Sequence, residues 1–194
     1  EEFANPCPTR QSVYSLCDSS WVYETFSEDF VLKIVLARRN IRKNTPEKSY
    51  VEIMDLAYEH GMEVRIDNPE TLHQTVNTLY TQAGLFATMR IVEKVEEFAA
   101  ARGKKVLYVL SFGSATVAET IRGQRRFDHK FVDFLKGRDL TYVDLLEAHL
   151  ADFAKINMSL EDYLERYWIS HYNPLGNFFT AFSLKDKLVA VLEP

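Results

Sequence analysis

At 194 residues the chain can form a domain that buries about 70% of its unfolded surface, and its 46% apolar, 26% charged and 13% aromatic content is that of an ordinary globular protein. With 23 basic against 28 acidic residues the net charge is −5, which argues against nucleic acid as a partner, because phosphate backbones demand clustered Lys and Arg. No apolar stretch approaches the ~20 residues needed to span a bilayer; the longest candidate, Phe30 to Ala37, is interrupted by Lys33.

The opening Glu-Glu-Phe-Ala-Asn-Pro has neither an initiator Met nor a charged-then-apolar signal pattern, as expected of a mature form or an excised piece, so compartment is not read from it. Turn signals at Asn5-Pro6, Pro8 and Asp18-Ser19-Ser20 predict irregular structure over residues 1–20. Cys7 and Cys17 lie within this segment with no His/Cys cluster nearby, which excludes a zinc site and leaves two readings open, one disulfide or two unpaired thiols. Trp21 to Asn40 is expected to be helical, since Phe26, Phe30, Ile34, Ala37 and Ile41 recur at three- or four-residue spacing. The basic cluster Arg38, Arg39, Arg42, Lys43 reads as its solvated end. Thr45-Pro46-Glu47 opens a second helix that stops at Gly61, and Met62 to Ile66 alternates as a weak strand. Residues 1–66 are thus predicted to be a mainly helical N-terminal segment.

Residues 67–194 have a different pattern. Asn68-Pro69-Glu70 starts a long helix that ends at Arg102-Gly103. Val106 to Phe112 is a near-continuous apolar run of the kind that makes a strand buried on both faces, and Leu140 to Leu145 is a second. Between them a helical region runs from Thr116 to Gly137, interrupted near Gly123. Ser159-Leu-Glu-Asp162 has the capping-box form and opens a helix through Trp168; Phe178 to Leu192 is a final amphipathic helix. Such alternation predicts an α/β domain with a parallel sheet, and with loops 112–116, 169–177 and the one after Leu145 on one edge. Two core strands are fewer than a buried parallel sheet needs, so either residues 1–66 hold strands read as helices or an upstream part is missing.

The most informative segment is His171-Tyr-Asn-Pro-Leu-Gly-Asn177. Pro174 fixes one dihedral and Gly176 permits a conformation costly for other residues, so a tight loop holds the imidazole. Imidazole is the side chain that changes charge between about pH 5 and 8, which suits general-base work. The competing reading is a loop at a helix start whose His caps or packs. Ser170 to Asn177, following the strand Thr141-Tyr-Val-Asp-Leu145, resembles the last block of the SGNH/GDSL hydrolase superfamily, over about residues 69–194.

That resemblance implies a three-layer flavodoxin-like sheet and an esterase-type reaction on an ester or acylated carbohydrate, a small-molecule or carbohydrate substrate with no cofactor and no metal. His171 matches the general base, with Asn173, Pro174 and Gly176 shaping its loop. The acid's usual positions hold Trp168 and Ile169, and the nearest acids are Asp162 and Glu165. Cys17-Asp18-Ser19 is the candidate nucleophile turn, with Cys in place of Gly, which makes Ser19 either the nucleophile or a surface turn residue. Ser111, Gly113, Ser114 and Asn173 are expected to line the substrate site. Asp128 and His129 read as solvated, and His60, His73 and His149 are given no role. The alternative is a degenerate domain that binds a ligand or partner without hydrolysing it.

Overall fold

Asp18 and Asp29 each start a helix by turning a side-chain oxygen onto backbone N–H groups that would otherwise lack partners. Asp18 accepts from Ser20 and Trp21, and Asp29 accepts from Leu32 at 2.8 Å. The computed structural model describes residues 18–42, 58 and 72–193, and these caps give it α1 (Ser19–Thr25) and α2 (Phe30–Arg42). The single helix expected over 21–40 is therefore two, because Asp29 caps afresh after a turn at 26–28. Helix α3 (Leu72–Ala100) follows; Cys7, Cys17, the second helix to Gly61 and the 62–66 strand lie outside the described residues.

The chain divides into two units, Glu1–Thr88 and Met89–Pro194, with the boundary inside α3. In the first unit Ile34 is buried against Leu79 and Ala83, and the Phe30 and Phe86 rings meet edge to face at 5.9 Å. Arg38, expected to be solvated, donates to Asn77 Oδ1 at 3.0 Å and lies over the Tyr80 ring.

The second unit continues with β1 (Tyr108–Leu110), α4 (Ser114–Ile121), α5 (His129–Gly137), β2 (Tyr142–Asp144), α6 (Leu145–Phe153), α7 (Leu160–Tyr167) and α8 (Pro174–Leu192). The two strands are parallel neighbours, with Tyr108 opposite Tyr142, Val109 opposite Val143 and Leu110 opposite Asp144. The expected three-layer flavodoxin-like α/β architecture is not what forms. Among the described residues helices predominate, and the sheet is this one pair of three-residue strands. The GDSL-type hydrolase frame implied by the resemblance falls with it.

Local chemistry explains the shortfall. The apolar runs 106–112 and 140–145 are longer than the strands they make. Gly113 takes the N-cap position of α4, and Asp144 Oδ1 accepts from Leu146 N at 3.0 Å, which turns the fully buried Leu145 into a helix instead of extending the strand. Nor are both faces covered, since Val109 is 40% exposed although its partner Val143 is buried. The core lies instead among helices, where Val117, Leu146, Tyr163, Tyr167 and Trp168 pack together. Helix α8 is apolar on more than one side: Phe179 packs into this core while Phe178 and Phe182 stack on each other outside it. No helix among the described residues is long and apolar enough to cross a membrane.

Candidate functional site

The His171 loop is a tight reversal between two helix ends. Helix α7 stops at Tyr167 because Trp168 turns extended, and Trp168 then bridges antiparallel to Tyr172. Ile169 N donates to His171 O at 2.9 Å, which closes the tip. Asn173 starts α8: its Oδ1 accepts from Gly176 N and its Nδ2 donates to Arg166 O, both at 2.9 Å, and Pro174 sits in the first turn. Both polar ends of Asn173, expected to line a substrate site, are thus used within the fold. Gly176 is required for close approach and not for an unusual dihedral. A Cβ there would collide with the Tyr167 carbonyl oxygen and the Tyr172 ring.

The His171 ring is exposed, and its Nδ1 lies 2.9 Å from the Tyr172 carbonyl oxygen. A carbonyl can only accept, so in the neutral ring Nδ1 carries the proton and Nε2 keeps its lone pair. In a Ser-His-Asp triad the acid fixes this tautomer; here a backbone carbonyl does. Among the described residues no carboxylate or hydroxyl is hydrogen-bonded to the ring. Asp162 is engaged by Ser159, whose Oγ donates to its carboxylate at 2.7 Å, and Glu165 is exposed on α7.

The other residues singled out from sequence divide between the two units. Ser19 is the exposed first residue of α1 in the first unit, where Asp18 caps the helix. Ser111 and Gly113 are exposed between β1 and α4, and Ser114 is half-buried as the first residue of α4. Burial pushes the Tyr172 phenol up, while the hydroxyls of Thr180 and Ser111 pull it down. The described residues contain no group of His, Cys, Asp and Glu able to hold a metal.

Two clusters escaped the sequence reading. His149 on α6, given no role, is fully buried in an aromatic shell, with Phe179 stacked 4.2 Å away and Trp168 at 4.7 Å. Its Nδ1 is 2.9 Å from Tyr163 Oη and its Nε2 is 2.8 Å from Tyr172 Oη. Asp152 accepts from both Tyr163 and Tyr167. Burial pushes the His149 imidazole down to about 4, against the opposing pull of Asp152. The Asp144 cap followed by apolar residues at 145, 146 and 153 was the available signal for α6, and it places His149 on the inward face.

The second cluster is an ion-pair knot beyond β2. Arg126 donates in a fork to both oxygens of Asp128, at 2.8 and 2.9 Å, and to Asp144 Oδ2 at 2.6 Å. These bonds raise the guanidinium above its ordinary range, those from Asp128 most, against the cost of burial. Asp128, expected to be solvated, is 3% exposed. The break near Gly123 makes this possible, because the left-handed turn there (φ 87°) releases residues 124–128 from helix.

No protein-family model, curated protein or solved structure matches the chain.

Proposed function

We propose that the second unit acts on an ester or an acylated carbohydrate, with His171 as general base. The observation that carries this reading is the hydrogen bond from Nδ1–H to the Tyr172 carbonyl, which leaves an exposed Nε2 lone pair in a defined direction. Such a nitrogen takes the proton of an attacking hydroxyl as its oxygen bonds to the acyl carbon. It then returns that proton to the alkoxide that leaves. The reading draws on the histidine and its loop and does not require a flavodoxin-like frame.

A second reading, binding without hydrolysis, is favoured by one observation: no described hydroxyl or carboxylate is bonded to the His171 ring. Hydrolysis of p-nitrophenyl acetate and of an acetylated oligosaccharide by the full chain, beside His171→Ala, separates the two. Loss of a general base is expected to slow turnover by about 10²–10⁴-fold. Equal rates in the two proteins would refute the catalytic reading. Saturable binding of the oligosaccharide without turnover would establish the other.

A further inference from the structure

The hydrogen-bond partners around His149 assign its tautomer. The Tyr163 hydroxyl has a single hydrogen, and it points at two groups that accept, the His149 carbonyl and Asp152 Oδ2, each at 3.1 Å. With that hydrogen given to either of them, its oxygen accepts from His149 Nδ1, which assigns the proton to Nδ1 and leaves Nε2 bare. The remaining bond follows: the Tyr172 hydroxyl donates to His149 Nε2 at 2.8 Å. The chain of bonds runs one way, from Tyr172 through His149 and Tyr163 to Asp152.

Tyr172 is also the residue whose carbonyl orients His171. Its ring is held in two ways, hydrogen-bonded through the hydroxyl to His149 and stacked 4.9 Å from Trp168. Its backbone is bridged to Trp168. A carbonyl that selects the tautomer of a neighbouring imidazole has to stay in place to within a few tenths of an ångström, since hydrogen bonds weaken steeply with misalignment. Rotation about the Tyr172 backbone would carry the phenol away from His149, so the buried bond and the carbonyl direction are fixed together.

We propose that His149 and Tyr172 are positioning residues for His171: the buried Tyr172–His149 hydrogen bond holds the Tyr172 carbonyl where it keeps the His171 proton on Nδ1. This rests on the reading of His171 as the base, but it concerns a property that is measured without substrate.

The experiment is ¹⁵N NMR of the histidine rings in the full chain, with His171 assigned by its loss in His171→Ala. The native protein is expected to show Nδ1 of His171 protonated and Nε2 bare at a pH where the ring is neutral. Tyr172→Phe keeps the ring stacking and removes only the hydroxyl. It is expected to move His171 toward the Nε2–H tautomer that histidine favours in free solution, making the Nδ1–H form the minor one. His149→Leu, which removes the acceptor and leaves Tyr172 intact, is expected to do the same, with retained near-ultraviolet circular dichroism showing that each variant is folded. An unchanged His171 tautomer in folded Tyr172→Phe overturns the proposal. A tautomer change in a protein that hydrolyses no ester upholds the positioning and sinks only the catalytic reading.

Discussion

A buried neutral histidine makes stability depend on pH in a way that can be isolated. His149 is fully buried and titrates at about 4 in the folded protein, against an ordinary value of ~6.5. Between those two values the unfolded chain binds a proton at this position and the native one does not. Stability from this group is therefore complete above about pH 6.5, falls as the pH drops, and changes no further once the native ring is also protonated below about 4. The full difference is about 3 kcal/mol, a large part of the 5–15 kcal/mol that holds a typical domain together. Urea unfolding at a series of pH values, in the native protein and in His149→Gln, measures it. Glutamine offers an N–H donor group and a carbonyl acceptor but cannot titrate, and the carboxylates common to both proteins cancel in the difference. The native midpoint is expected to fall faster between pH 6.5 and 4 than that of the variant. Parallel curves across that window would show that His149 is protonated as easily in the fold as out of it, and the directional hydrogen-bond chain would then be wrong.

Gly176→Ala tests the close approach at the start of α8. Alanine is the better helix former by about 1 kcal/mol, yet its Cβ would meet the Tyr167 carbonyl and Tyr172 ring, so a net loss of about 1–3 kcal/mol in denaturant unfolding is expected; a gain would show that the two helix ends part freely. Arg126→Met tests the ion-pair knot. It leaves Asp128 and Asp144 buried without their partner, for an expected loss of about 3–5 kcal/mol, and an unfolding midpoint like that of the native protein would mean that water already reaches both carboxylates.

The sequence was readable where one side chain decides a local outcome. The Ser159 capping box starts α7 as expected, and the parallel pairing of the two apolar runs is found, in shorter form. It was misleading where the same residues satisfy two descriptions. Leu140 to Leu145 looks like a buried strand because it is apolar throughout, but one aspartate oxygen on Leu146 N commits its last residue to a helix. A reading based on hydrophobic runs cannot see that choice, and it lost α6 and with it His149. Long range was the other obstacle. Nothing near Tyr172 in sequence announces a partner 23 residues earlier, and Arg126 meets Asp144 across 18 residues. His171 itself was found because Asn, Pro and Gly write the turn locally; what holds its tautomer is a carbonyl, which every residue has and no sequence pattern marks.

The buried network also bears on why the His171 loop is built here at all. Its members come from three helices: His149 and Asp152 from α6, Tyr163 and Tyr167 from α7, and Phe179 from α8, with Tyr172 in the loop between the last two. An apolar core of the same volume could supply similar burial energy, but it would tolerate small slides of one helix against another. A chain of directional bonds does not, because a slide would leave a polar atom buried without a partner, at about 1–3 kcal/mol for each. Among the described residues the sheet is one pair of short strands, so the register of these helices is set by contacts between the helices and their loops. The ends of α7 and α8 are also the two walls of the His171 loop. Directional bonds in the core therefore place those ends, and the ends place the carbonyl that the exposed imidazole depends on.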